Sequence, residues 1–159
     1  MDSAAFEKIL KISEEFFGTQ SDPDQMPISH ESAEKLNSIH PDTVLYMFNE
    51  KGDPIAWIVT IPTSIETMNN FIHKKITERE LLDIAVREKS FDALYLCAVF
   101  VLPEYRRKGY AINLVKKSIF MLSGGGEIPL YCWLYSDEGK KLVSTLEKDF
   151  GRSFLYREE

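Results

Sequence analysis

The chain has 159 residues, of which 44% are hydrophobic and 28% are charged, and its formal net charge is −6 at pH 7. This length suits one domain with a substantial hydrophobic core, and the composition is that of a globular protein rather than a disordered or membrane protein. The acidic balance argues against a nucleic-acid-binding protein, which needs a basic face, and it is compatible with a cationic substrate.

The sequence lacks the usual signs of secretion or membrane insertion. The first turn carries Asp2 and Glu7 instead of the basic stretch of a signal peptide. The longest apolar run, Leu94 to Leu102, is about half of what spans a bilayer. The two cysteines, Cys97 and Cys132, lie in apolar runs and belong to no Cys/His cluster with metal-ligand spacing. We therefore expect a cytoplasmic protein with two buried thiols, no disulfide framework, no metal site and no membrane partner.

The first third of the chain predicts two helices followed by a β-hairpin. Apolar residues recur at helical spacing in both helical segments, and the hairpin strands are rich in β-formers on either side of a turn that contains Gly52. The predicted segments are a helix over 6–17 that ends at Gly18, a loop over 19–27, a helix over 33–39 that ends at Pro41, strands over 44–49 and 55–61, and a turn over 50–53.

Two capping boxes predict a pair of short helices after the hairpin. Thr63-x-x-Glu66 opens a helix that carries Phe71, and Thr77-x-x-Glu80 opens a second helix that carries Leu81. In each box the Thr and Glu side chains satisfy backbone N–H groups that the first helical turn leaves without partners. These two helix starts are therefore well defined.

The remaining segment predicts a parallel strand–helix–strand unit. The run over 94–102 has no polar interruption, as expected for a strand covered on both faces. It is followed by a helix over about 108–122, a strand over 128–135, a helix capped by Ser136 or Asp137, and a short strand over 154–156. Such a unit has a right-handed crossover. The prediction is one α/β domain over 1–159, whose mixed sheet is first antiparallel, then parallel, and is flanked by helices.

The segment Val101 to Ala111, with the sequence VLPEYRRKGYA, lies where the buried strand meets the following helix. A helix start offers backbone N–H groups and the positive end of the helix dipole, which together favour an anion. Gly109 allows close approach of the backbone, and the basic run from Arg106 to Lys108 adds positive charge. This pattern predicts a phosphate-binding loop.

In this position the segment resembles the acyl-CoA signature of the GNAT superfamily of N-acetyltransferases. That signature, Gln/Arg-x-x-Gly-x-Gly/Ala, is matched by Arg106, Gly109 and Ala111, and the common preceding Val-x-Pro is matched by Val101 and Pro103. The element order is similar over about residues 1–157, and the motif itself covers about 99–112. The resemblance implies a GNAT-like fold and an enzyme that transfers an acetyl group from acetyl-CoA to a small-molecule or peptide amine by direct attack.

The resemblance also implies which residues bind the cofactor. The backbone at the end of the central strand would pair with the pantetheine arm and the thioester carbonyl, and the amides of the following loop would cradle the pyrophosphate. The implied cofactor-binding residues are Val99, Phe100, Val101, Arg106, Arg107, Lys108, Gly109, Tyr110, Ala111, Ile112 and, at the head of the last helix, Ser136.

The chain departs from the family pattern in the residues that move protons. Tyr95 and Tyr131 stand at or near positions where many members carry a glutamate, and the last helix has no tyrosine around residues 142–146. Tyr95 and Tyr131 are the candidate catalytic residues, acting through a water or as the acid for the leaving thiolate; the alternative is aromatic packing in the sheet. The insert over about 62–92 is interpreted as the element on the substrate side.

Two other functions remain open at this point. The missing tyrosine in the last helix is compatible with a non-catalytic module that binds acyl-CoA for regulation or scaffolding. The other function is a role linked to nucleic acid, as in toxin-type acetyltransferases that modify aminoacyl-tRNA, but the acidic balance argues against it. The sequence also leaves a homodimer open.

Overall fold

The structure is a computed structural model that describes residues 3–17, 24–27 and 29–159; the side chains of 13–17 and the predicted stop at Gly18 lie outside the described part, as does most of the predicted loop over 19–27. The helices are α1 Ser3–Phe17, α2 His30–Ile39, α3 Ile65–Ile72, α4 Glu78–Arg87, α5 Tyr110–Ser123 and α6 Asp137–Phe150. The strands are β1 Val44–Phe48, β2 Pro54–Thr63, β3 Ala93–Val101, β4 Leu130–Cys132 and β5 Leu155–Tyr156.

The five strands form one sheet in the order β1-β2-β3-β4-β5. The β1–β2 and β2–β3 pairs are antiparallel, and the β3–β4 and β4–β5 pairs are parallel. This arrangement confirms the predicted α/β class and the mixed sheet that begins with a hairpin. In the described part of the chain, no helix is both long and apolar enough to cross a bilayer.

The strand predicted over 128–135 is shorter than expected, because only Leu130–Cys132 pairs with β3. The parallel ladder ends where Leu96 faces Cys132. After that point the chain bonds to itself, with the Tyr135 amide donating to the Trp133 carbonyl at 2.9 Å. The two strands therefore diverge at their carboxyl ends, and β3 continues to Val101 beside β2.

A β-bulge at Cys97 changes which face the end of β3 presents. Thr60 faces Leu96 and Val59 faces Ala98, so Cys97 is the extra residue. Beyond the bulge Val99 packs in the same cluster as Leu96, against α5 and α6. Before the bulge, the side chains of Tyr95 and Cys97 lie on the opposite face, in the cluster that α3 and α4 cover. A bulge of this kind re-aims side chains locally.

The first capping box was placed one residue too early. The N-cap of α3 is Ser64, whose hydroxyl accepts from the Thr67 amide at 3.1 Å. A carboxylate from beyond α4 also serves this helix start, because Glu88 accepts from the Ser64 amide at 2.7 Å. Thr63 instead hydrogen-bonds the Tyr131 hydroxyl at 2.7 Å. The second box is confirmed, with Thr77 and Glu80 bonding each other's backbone amides.

Replacing Thr77 by alanine is expected to lower the free energy of unfolding by about 1 kcal/mol, the usual cost of losing an N-cap. The matched control is Thr145→Ala, because Thr145 is an exposed threonine within α6 whose hydroxyl donates only to the Lys141 carbonyl at 3.1 Å. Urea unfolding of both variants gives the comparison. Equal stability of the two variants would show that the capping box contributes little.

Candidate functional site

The strands β3 and β4 stop pairing towards their carboxyl ends, and we call the space between them beyond Leu96 and Cys132 the cleft. Because these strands are parallel, the helices that follow them, α5 and α6, both begin at this edge of the sheet. Beyond Leu96, no strand among the described residues pairs with β3 on its β4 side. Ala98 and the partly buried Val99 lie on this stretch, and Ala98 is exposed. An extended ligand can therefore pair with the backbone of β3 here.

The loop that precedes α5 is shaped to bind an anion. Arg107 and Gly109 both adopt left-handed backbone conformations, with φ of 64° and 79°. Gly109 is the N-cap of α5 and provides no side-chain acceptor, so the first helical amides remain available. A Cβ atom added at Gly109 would meet no atom within 4 Å, so the approach to this backbone is open. Such a nest of N–H groups at a helix start favours phosphate.

The three basic side chains of this loop differ in their contacts. Arg106 donates from Nε to the Val101 carbonyl at 2.8 Å, and its guanidinium lies 5.6 Å from the centre of the Phe100 ring. The Lys108 ammonium lies 5.6 Å from the Tyr105 ring, and Arg107 and Lys108 are exposed. Arg106 therefore stabilises the end of β3 through its Nε atom. Its two terminal nitrogens are the donors that it could use to bind an anion.

The other residues implied to bind the cofactor surround the same cleft. Phe100 is buried and stacks on Trp57 with ring centres 4.7 Å apart, so its side chain belongs to the core. Ser136 caps α6, its hydroxyl accepting from the Gly139 amide at 3.0 Å. The first turn of α5, formed by Tyr110, Ala111 and Ile112, is partly buried against the cluster that Val101 joins. The structure thus brings all eleven positions to one edge of the sheet.

The two candidate tyrosines are neighbours across β3 and β4 and are completely buried. Their ring centres are 5.1 Å apart. The Tyr131 hydroxyl contacts Thr63, and the Tyr95 hydroxyl donates to Oε2 of Glu78 at 2.5 Å. Burial raises the pKa of both hydroxyls, and the Glu78 carboxylate raises that of Tyr95 further. Both are therefore neutral phenols near pH 7, and Tyr95 is linked to a carboxylate.

Glu78 is a buried carboxylate at the start of α4, with only 6% of its surface exposed. Its Oε1 accepts from the Met26 amide at 2.7 Å, its Oε2 accepts from Tyr95, and the Cys97 thiol is also a hydrogen-bonding neighbour. Burial raises the pKa of Glu78, although these hydrogen bonds and the nearby Arg157 charge act in the opposite direction. The carboxylate thus lies directly behind the bulged residue of β3.

The sequence profile of the Acetyltransferase (GNAT) family matches residues 6–151. The chain belongs to this family. No curated protein gives a significant match to it. The profile spans the stretch from α1 through α6, including the loop from Val101 to Ala111, so the resemblance and the GNAT fold predicted from this loop are confirmed. Membership of the GNAT family indicates acyl-CoA-dependent acetyltransferase chemistry.

Sequence reasoning missed Glu78 in this GNAT protein. Glu78 follows Thr77 inside a capping box, and acidic residues are common in the first turn because they favour the helix dipole. Nothing in that pattern shows that the side chain turns inward. The nearest signal was Tyr95, which stands where many GNAT members carry a glutamate and whose hydroxyl meets the Glu78 carboxylate.

Cys97 also differs from expectation. Both cysteines are free thiols, but only Cys132 is buried as a whole residue, whereas Cys97 is partly exposed. The Cys97 thiol itself packs against the cluster that α3 and α4 cover, and its burial there, and then the Glu78 carboxylate, raise its pKa, which keeps it protonated. In the part of the chain that the structure describes, no group of three or more His, Cys, Asp and Glu side chains is placed to hold a metal ion.

Proposed function

We propose that this protein is an N-acetyltransferase that moves the acetyl group of acetyl-CoA to a primary amine by direct attack. The observation that carries the proposal is the left-handed backbone at Arg107 and Gly109 before α5, placed at the same end of β3 as the cleft between β3 and β4. A phosphate group and an extended thioester arm need these two features side by side. Family membership supports the same chemistry.

In this proposal the pyrophosphate lies on the backbone amides from Arg107 to Ile112. The pantetheine arm runs along β3 and pairs with backbone groups between Cys97 and Val101, on the side that lacks a strand partner. The thioester carbonyl then accepts from a backbone amide of this stretch, which stabilises negative charge as the amine attacks. The side chains of Val99 and Val101 stay in the core, so only their backbone binds.

The amine must lose a proton before it can attack. With a reference pKa of about 10.4, only about one lysine-like amine in a thousand is neutral near pH 7.4. Deprotonation therefore contributes roughly 4 kcal/mol to the barrier unless a base assists. An acetyltransferase of this kind gains from a group that accepts the proton during attack.

Thermal unfolding with and without acetyl-CoA tests the cofactor. At a hundredfold excess over the dissociation constant, binding is expected to add about 2.7 kcal/mol of stability. For a domain of this size that raises the melting temperature by roughly 5–10 °C. Adenosine diphosphate is the control and is expected to give a smaller shift. Absence of a shift at millimolar acetyl-CoA would overturn the proposed cofactor.

Release of free CoA thiol over a panel of primary amines tests the transfer itself. Thiol release that depends on the amine supports the enzyme. Binding of acetyl-CoA without thiol release from any amine would favour the non-catalytic acyl-CoA module instead. The observation that favours this second function is α6, Asp137–Phe150, which contains no tyrosine to protonate the leaving thiolate.

A further inference from the structure

We propose that Glu78 takes up the proton of the attacking amine through the thiol of Cys97, with Tyr95 holding the carboxylate in position. This inference rests on the proposed acetyl transfer. Glu78 reaches the site from α4, outside the strands of the cleft.

The positions of the helices define the side from which an amine can enter. The anion-binding loop begins α5, and α5 packs on the face of the sheet that carries Leu96, Val99 and Val101. A cofactor held by this loop therefore occupies the cleft from the α5 side. An amine must then come from the opposite face, where Cys97 lies and where α3 and α4 cover the sheet. Glu78 projects onto that face.

The groups around Glu78 come from three other parts of the chain. Tyr95 and Cys97 face it from β3, the Met26 amide faces it from the segment before α2, and the Arg157 guanidinium faces it from the C-terminal segment. Arg157 is the only charged group among the partners described for Glu78. Both carboxylate oxygens act as acceptors, Oε1 from the Met26 amide and Oε2 from the Tyr95 hydroxyl, so an amide side chain with its single acceptor oxygen could not make both bonds. These two donors hold an ionisable group in place behind Cys97.

The protonation state of Glu78 suits this role. Burial raises the pKa of Glu78 above the usual carboxyl range, which makes the carboxylate a stronger base than an exposed one. The Cys97 thiol stays protonated, so it can receive one proton on sulfur while it passes its own to Glu78.

The transfer begins from the protonated alkylamine. One N–H proton of the ammonium moves to Cys97 sulfur as the Cys97 S–H proton moves to the Glu78 carboxylate. The neutral amine nitrogen then forms a bond to the thioester carbonyl carbon, and the bond between that carbon and the CoA sulfur breaks. CoA leaves with the electron pair as a thiolate and takes up the second N–H proton that the nitrogen loses, and Glu78 returns its proton to solvent. Cys97 ends as the thiol and is not acylated.

The test compares two nucleophiles in Glu78→Gln. One is the best alkylamine from the amine panel, which is protonated at neutral pH, and the other is hydroxylamine, which is already neutral. We expect kcat/KM for the alkylamine to fall by about 100-fold or more, the usual size of general-base assistance. The value for hydroxylamine should change little, because that nucleophile needs no deprotonation before attack. An equal loss for both nucleophiles, or no loss for either, would overturn the role of Glu78.

Matched variants separate the relay from general damage to the site. Cys97→Ala should show the same selective loss, and Cys97→Ser should restore part of it because a hydroxyl can also relay a proton. Glu88→Gln is the control carboxyl, since Glu88 caps α3 from the other end of α4. If Cys97→Ala leaves the alkylamine rate intact, the thiol is not the relay. Wild-type protein that neither binds acetyl-CoA nor releases thiol would refute the proposed function itself.

A second measurement, the pH dependence of stability, needs no amine substrate. The folded pKa of Glu78 lies above its ordinary value of 4.5, so ionisation of Glu78 destabilises the fold as pH rises through and beyond that value. As pH rises from about 4.5 towards neutral, the free energy of unfolding of Glu78→Gln should therefore increase relative to that of the wild type. If the wild type gains on the variant instead, Glu78 is stabilised as an ion beside Arg157, and the proposed base is wrong.

Discussion

Replacing Arg157 by alanine is expected to lower the free energy of unfolding by about 3–5 kcal/mol, as for other buried charges that lose their partner. Arg157 is 7% exposed, and its guanidinium donates from Nη1 to the carbonyls of Phe71 and Ile76, each at 2.8 Å. It also lies 4.3 Å from the centre of the Phe71 ring and 5.1 Å from that of Trp133. One side chain therefore ties β5 to the end of α3 and to the segment before α4.

The size of this effect follows from what the substitution leaves behind. Two carbonyls lose their donor, and each buried polar group without a partner costs about 1–3 kcal/mol. The negative charge of Glu78 also loses the nearby positive charge of Arg157. Since a domain is usually stable by about 5–15 kcal/mol, this variant should retain only part of its stability.

Urea unfolding followed by tryptophan fluorescence measures the effect. Arg79→Ala is the matched control, because Arg79 is only partly buried and donates from Nε to one carbonyl, that of Gln25, at 2.8 Å. We expect Arg79→Ala to cost about 1 kcal/mol, the net worth of one hydrogen bond. If Arg157→Ala is as stable as Arg79→Ala, the guanidinium does not hold the insert in place.

The second large effect is expected in Gly109→Glu, which should abolish the stabilisation that acetyl-CoA gives. A carboxylate at this position would meet the pyrophosphate where the backbone approaches it most closely. The φ of 79° also disfavours any side chain, at a cost of about 1–2 kcal/mol. The loss of acetyl-CoA binding must therefore be distinguished from the loss of stability that a side chain causes at a positive φ.

Gly52 provides that separation. It lies in the β1–β2 turn with a φ of 81°, and a Cβ atom there would also meet nothing within 4 Å. Gly52→Glu should lose stability to a similar extent and yet keep the full shift in melting temperature with acetyl-CoA. Gly109→Ala, a milder change, should reduce the shift. If Gly109→Glu and Gly52→Glu respond alike to acetyl-CoA, the cofactor does not bind at the start of α5.

Much of the fold could be predicted because its signals are local. The hairpin, the capping box at Thr77 and the helix after Gly109 all depend on residues that lie close together in the sequence. The backbone of the loop before α5 could be predicted for the same reason. Gly109 and the start of α5 follow directly from the motif, and the left-handed conformation of Gly109 is one that glycine adopts readily.

The features that could not be predicted depend on contacts between distant parts of the chain. The apolar run from Leu94 to Leu102 has no alternation, so nothing in it marks Cys97 as a bulge. β4 ends early because it diverges from β3. The sequence after Cys132 stays apolar up to Tyr135, so it gives no sign of this end. Glu78 and Arg157 each look like exposed charges in the sequence and become buried through partners as distant as Phe71.

The divergence of β3 and β4 also bears on how the sheet avoids aggregation. The edge of a sheet invites pairing with another chain. The two edge strands, β1 and β5, are poorly suited to such pairing. β5 has only two residues, and β1 has a register irregularity at Met47 and Phe48. The longer edge that no described strand covers lies inside the sheet, along β3 beyond Leu96. A cleft between two strands admits a slender arm and excludes a second sheet, so the protein can keep a templating edge for its ligand without offering it to its neighbours.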